Sequence, residues 1–247
     1  MNSRPICYIV AATPRTGSSL LCEALTATGV AGRPSEVFAP DFRGPWFDFW
    51  GLAPDCGFQA YFDAATAHGR GQNGNFGLKI QWMHVPVLAK DLRYRGPASG
   101  ILGHLYPGAR YVNTVRRDRR AQALSWYRAI VTNKWFSMRD DAVTAEPPAP
   151  TLSGILELER EIDRQQTGWE RFFDARGIVP HTIHYEELDS NYHETLAKAL
   201  AFLELDPKIA QSLGKPRLRR QADATTLRWR AMIDQFEADA ASNFHAA

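Results

Sequence analysis

Cysteine is scarce in this sequence: Cys7, Cys22 and Cys56 are the only three in 247 residues. A set that small, odd in number and widely spaced, excludes a disulfide-framed secreted scaffold. Cys7 lies in an apolar strand-like run and Cys22 on the apolar side of an expected helix. Both read as reduced core residues and point to a reducing, cytoplasmic compartment. Charge of one sign is lacking as well: 29 Lys and Arg against 27 Asp and Glu leave a net charge of +2. That excludes a polyelectrolyte-binding surface and a nucleic-acid partner, so any bound anion has to be met by a local group of arginines. Long apolar runs are absent. The first one, Ile6-Cys7-Tyr8-Ile9-Val10, is too short for a membrane span or a signal segment. The seven histidines fall in no metal-ligand spacing, His181 and His184 being on opposite faces of a predicted strand, and no metal is expected.

What is present is an ordinary globular composition. With 45% hydrophobic residues the chain can bury a substantial core, and its length suits a single α/β domain over 1–247. An aromatic-rich insertion at about 38–72, on the side where an acceptor would bind, and a basic lid plus helix at about 215–240 are expected as decorations of that domain. Ile6 to Ala12 reads as a buried parallel strand. A turn-rich stretch follows, then a helix over Ser18–Thr28 with Leu20, Leu21, Ala24 and Leu25 on its apolar stripe. Strand, tight loop and helix in that order open a doubly wound parallel sheet flanked by helices. Further strands are predicted at Phe76–Trp82, Ala109–Val115 and Val179–Tyr185. Helices are predicted from Arg119 to Val131, with Ala121, Leu124, Ala129 and Ile130 inward, across Ile155 to Phe173, and from His193 to Leu205. Between 38 and 62 aromatic residues sustain no period, which leaves open a loop on the core, an acceptor-pocket wall or a dimer contact.

The loop Thr13-Pro14-Arg15-Thr16-Gly17-Ser18-Ser19 opens the first helix. Unpaired backbone N–H groups and the positive end of the helix dipole suit a phosphate there. The nucleoside-triphosphatase pattern G-x-x-x-x-G-K-[ST] is not met: Ala12 replaces the first Gly and Ser18 the Lys. The cation has moved to Arg15, while Gly17 keeps the backbone open and Ser18 and Ser19 offer hydroxyls. Losing the Lys that reaches the β- and γ-phosphates disfavours a kinase. A second anion clamp is expected where Arg116 and Arg117 end a strand and Ser125 follows on the next helix, because two guanidinium forks and a hydroxyl can converge on one phosphate. Arg119 and Arg120 read as a solvated basic face. Two anion sites suit a nucleotide carrying phosphate at both ends. A third basic segment, Lys215 to Arg220, is either a lid over that nucleotide or a solvated loop.

These residues together resemble a known family. Pro14-Arg15-Thr16-Gly17-Ser18-Ser19-Leu20-Leu21 is similar to the 5′-phosphosulfate loop of sulfotransferases. Arg116-Arg117-Asp118 with Gln122 to Ala129 resembles the 3′-phosphate segment of the bacterial trehalose 2-sulfotransferase-like family. Thr28 to Glu36, Gly77-Leu78-Lys79, His184 to Leu188 and Arg219 to Asp223 match in the same order along the chain. The resemblance implies transfer of a sulfuryl group from PAPS, leaving PAP, to a hydroxyl of a sugar or glycolipid by a cytoplasmic homodimer. It implies Glu36 as general base, with Arg15, Thr16, Gly17, Ser18, Ser19, Arg116, Arg117, Ser125, Arg219 and Arg220 around the donor. After Glu36, Val37-Phe38-Ala39-Pro40-Asp41 departs from the trehalose-specific pattern, and acceptor specificity is expected there. The rivals are a small-molecule kinase of P-loop ancestry and a non-catalytic nucleotide-binding module.

Overall fold

In the computed structural model of the chain, which describes residues 4–53, 55–135, 147–214, 216 and 224–245, the apolar run after Pro5 forms β1 (Cys7–Ala12). Tyr8 to Ala12 are all buried, as expected for a parallel strand covered on both faces. β2 (Phe76–Gln81), β3 (Arg110–Val115) and β4 (His181–His184) complete a parallel sheet in the order β2-β1-β3-β4. Val10 stands opposite Lys79 on one side and Val112 on the other. The helices are α1 (Ser18–Ala27), α2 (Arg43–Trp50), α3 (Gly57–Gly69), α4 (Val85–Asp91), α5 (Ile101–Leu105), α6 (Arg119–Thr132), α7 (Leu152–Asp174), α8 (Tyr185–Ser190), α9 (Tyr192–Phe202), α10 (Ile209–Ser212) and α11 (Ala224–His245). Among the described residues no helix is long and apolar enough to cross a membrane.

The chain divides into two compact units, one within Met1–Val115 and Gln165–Gly214, the other within Arg116–Arg164 and Lys215–Ala247. The first holds the sheet. Alternate residues of β1 feed two apolar clusters, as the period-2 geometry of a strand requires. Ile9 and Ala11 pack with Leu78, Ile80, Tyr111, Trp169 and Phe172, while Tyr8 and Val10 pack with Leu21, Leu25, Ile183, Leu196 and Leu200. Helices therefore cover both faces, which is the doubly wound α/β arrangement. β4 begins two residues later than predicted. Pro180 has no N–H to give a ladder, and Val179 before it is 87% exposed.

The aromatic stretch differs from an aperiodic loop. Pro40–Phe42 forms a single 3-10 turn, and α2 and α3 follow. Trp46 and Trp50, one helical turn apart, stack with centroids 5.0 Å apart. Gly51, at φ 63°, closes α2 with its N–H on Asp48 O and that of Leu52 on Phe47 O, the αL helix stop that glycine favours. The aromatic side chains share one side of α2, where Trp46, Phe49 and Trp50 all meet the His68 ring, but an eight-residue helix is too short for that period to show in the sequence.

In the second unit, Ala123, Leu124 and Trp126 of α6 pack with Ile155, Ile162, Trp229 and Ile233. Ile130, predicted inward, is 50% exposed; the buried stripe runs instead through Gln122, Ala123, Leu124, Trp126 and Ala129. Asp118 caps α6 by accepting the Ala121 N–H at 2.9 Å and also receives Arg230. Arg120 is not part of a solvated face. Its guanidinium meets Glu159 at 2.5 Å and Asp234 and Glu237 at 2.9 Å each. Arg119 is likewise paired, with Asp163 at 2.8 Å.

Candidate active site

β1 delivers the chain into a loop whose shape is set by buried hydroxyls. Thr16 Oγ1 donates to Thr13 O at 3.0 Å and lies 2.8 Å from Thr114 Oγ1, which itself donates to Ala11 O. Trp169 Nε1 donates to Ala12 O at 2.8 Å and anchors the strand end. The Thr16 hydroxyl thus holds the loop together. Two residues take left-handed backbone: Arg15 at φ 67° and Gly17 at φ 77°. The first is an uncommon conformation for a side-chain-bearing residue, the kind of local strain that functional loops carry. At Gly17 a Cβ would come within 2.8 Å of the Tyr185 ring, so glycine is required sterically as well. Gly17 brings no side chain to cap α1, and the first turn of that helix holds no acidic residue. The positive end of the α1 dipole is therefore not compensated from within its first turn, which suits an anion.

Glu36 reaches the same region along a pinned connection. Tyr8 Oη donates to Ala31 O, Tyr61 Oη to Val37 O and Asn75 Nδ2 to Val30 O. The Lys79 N–H of β2 donates to Ser35 O. Gly77 permits the approach, since a Cβ there would meet Tyr8 at 2.7 Å and Pro34 at 3.1 Å. The result is a buried polar group that the sequence did not reveal. Lys79 Nζ lies 2.6 Å from Glu36 Oε2 and donates to Ser19 Oγ at 2.9 Å, so one ammonium joins the carboxylate to the first turn of α1. His84 Nδ1 stands 3.4 Å from Glu36 Oε1. Side-chain exposure is 5% for Lys79, 11% for Glu36 and 12% for His84. Burial pushes the Glu36 carboxyl up, but the Lys79 charge, helped by hydrogen bonding and by His84, outweighs it and holds the group at about 2. Glu36 is thus an ionised carboxylate at neutral pH.

Residues 7–239 match the family model described as Stf0 sulphotransferase. The chain belongs to the Stf0 sulphotransferase family. This sulfotransferase is 30% identical to a trehalose 2-sulfotransferase of Mycolicibacterium smegmatis, over 97% of each chain. It is also 30% identical to one of Mycobacterium tuberculosis, over 94% of this chain and 95% of that protein. Among solved structures, a sulfotransferase from Alicyclobacillus acidocaldarius aligns with a TM-score of 0.47 and 13% identity, covering 99% of this chain and 95% of that one.

Of the residues singled out in the sequence, Ser19 and Glu36 are brought together through Lys79, and Arg15 to Ser18 lie in the adjoining loop and helix start. Arg116, Arg117 and Ser125 belong to the other unit: Arg116 is buried, Arg117 exposed, and Ser125 sits in the second turn of α6. Arg219 and Arg220 lie outside the described residues, as does the rest of the basic segment except Pro216. Lys79 and His84 were missed. A signal for Lys79 was available: a Lys inside an otherwise apolar run, Phe76-Gly77-Leu78-Lys79-Ile80, is rarely buried without a partner.

Proposed function

We propose that this sulfotransferase moves a sulfuryl group from PAPS to a hydroxyl of a carbohydrate or glycolipid, sugars like trehalose included, with Glu36 as general base. The observation that carries the reading is the Ser19–Lys79–Glu36 connection, which sets an ionised carboxylate one ammonium away from a helix start suited to an anion. The names of the two curated relatives favour a sugar acceptor.

In this reading Glu36 takes the proton of the acceptor hydroxyl as its oxygen attacks sulfur, in line with the departing phosphate oxygen. Arg15, with the backbone and hydroxyls of Thr16, Gly17, Ser18 and Ser19, stabilises charge developing on the bridging oxygen and the 5′-phosphate. Arg116, Arg117 and Ser125 take the 3′-phosphate, and Arg219 and Arg220 belong to a basic lid. A cytoplasmic homodimer completes the proposal.

A transfer screen with labelled PAPS tests it, run over trehalose, other disaccharides, glycolipids and simple phenols. Label on a sugar hydroxyl is the expected result. Label on phenols alone overturns the acceptor class, and activity that needs ATP in place of PAPS overturns the donor.

A further inference from the structure

A base that takes a proton in the transition state works best when the proton can move on, and a carboxyl held at about 2 is a poor resting place for one at neutral pH. The surroundings of Glu36 offer an exit. We propose that His84 is the proton relay behind Glu36, accepting at Nδ1 the proton that the acceptor hydroxyl delivers to the Glu36 carboxylate. The inference rests on the reading of Glu36 as base.

The two carboxylate oxygens are not equivalent. Oε2 is taken by Lys79 Nζ at 2.6 Å, whereas Oε1 faces His84 Nδ1 at 3.4 Å. Neither Oε1 nor Nδ1 has any other partner among the described residues. Two buried polar atoms facing each other at 3.4 Å form a place for a shared proton, and burying them unpaired would be costly. The imidazole keeps 12% exposure, which gives the proton a way to water. Its position is built into the fold. His84 ends a 3-10 turn, Trp82–His84, whose Trp82 packs edge-on to Trp169 with centroids 5.1 Å apart. Gly168 makes room for that indole, since a Cβ there would lie 2.2 Å from it.

Among the described residues, the titratable groups that act on Glu36 or feel its charge are Lys79 from β2, His84 from the turn after β2, and the Cys22 thiol of α1. Burial pushes that thiol up to about 12, so it stays neutral. The step balances. The acceptor oxygen forms its bond to sulfur while the sulfur–oxygen bond to the donor phosphate breaks, the electron pair leaving on that phosphate oxygen. The hydroxyl proton goes to the Glu36 carboxylate and from Oε1 to Nδ1, and because Nδ1 is buried the imidazolium so formed gives up the proton on Nε2 to water. Imidazole has two ring nitrogens, so it can accept a proton at one and donate from the other.

The test is His84→Ala and His84→Gln, assayed with PAPS and trehalose, with PAP affinity and Tm measured alongside. The relay predicts a fall in kcat on the order of 10²-fold in both variants, at unchanged PAP affinity. It also predicts recovery of the Ala variant in proportion to added free imidazole, and none for the Gln variant. Near-wild-type kcat in the Gln variant overturns the relay, as does a loss in the Ala variant that imidazole leaves untouched. Glu36→Gln separates the two ideas. If it is inactive while the His84 variants turn over normally, only the relay falls; if it turns over normally, the base reading itself falls.

Discussion

Replacing Lys79 by Met removes the ammonium while keeping most of the side chain's bulk, which isolates the electrostatic part of the site. The pair it breaks is deeply buried, with Lys79 Nζ 2.6 Å from Glu36 Oε2 and side-chain exposures of 5% and 11%. Taking one partner from such a pair leaves an uncompensated charge and costs about 3–5 kcal/mol. For a chain of this length that is a fall in Tm of roughly 2–4 °C per kcal/mol. The pH dependence has a definite sign. Burial raises Glu36, but Lys79 reverses this and holds it at about 2, against an ordinary 4.5. A carboxyl lowered by folding contributes stability that is fully present above 4.5 and is lost as pH falls through about 2. That contribution is roughly 3 kcal/mol at neutrality. In the Met variant burial still raises Glu36 without the Lys79 charge to oppose it, so the carboxyl takes up a proton as the solution is acidified instead of standing bare. The penalty should therefore be largest near neutrality and shrink toward about pH 4. Urea unfolding of both proteins at the two pH values measures it. A loss below about 1 kcal/mol at neutrality, in the range of an exposed pair, or a loss equal at both values, refutes the reasoning.

Gly17→Ala should hurt both fold and donor binding. A left-handed φ of 77° and a Cβ 2.8 Å from the Tyr185 ring together cost about 1–3 kcal/mol, to be read as a lower Tm and weaker PAP binding in titration calorimetry. Wild-type values in both would remove the steric account of the loop. Ser125→Ala should weaken PAP by about 10–100-fold, the value of a hydrogen bond to a charged group, with Tm measured alongside to separate this from a change in the packing of α6, on which the half-buried Ser125 adjoins buried Gln122 and Ala129. Unaltered PAP affinity would sink the assignment of Ser125 to the 3′-phosphate.

The loop between β1 and α1 was legible because its signals are local. An apolar run, a Pro/Gly-punctuated turn and a hydroxyl-rich helix start need no distant information, and β1 and α1 begin and end within a residue or so of where the sequence puts them. Glu36 was singled out by resemblance; its neighbours were not legible. Lys79 stands 43 positions from Glu36 and 60 from Ser19, and the period of a strand tells which face a residue takes but not what meets it there. His84 lies in a single 3-10 turn, too short to leave a periodic trace. The aromatic stretch hid α2 because eight residues are too few for a helical period to show, and tertiary contacts such as Phe47 with Tyr61 stabilise what a longer amphipathic pattern would otherwise have announced. Arg120 looked like surface charge until its three carboxylates, two of them more than a hundred residues away, were in view. Long-range ion pairs of this kind have no sequence signature short of the fold itself.

Glu36 as the base of a PAPS-dependent sulfuryl transfer is tested by single-turnover transfer from labelled PAPS to trehalose, compared between wild type and Glu36→Gln at matched PAP occupancy. The transfer rate should fall by about 10²–10⁴-fold with PAP affinity nearly unchanged. A Gln variant that transfers sulfate at the wild-type rate contradicts it.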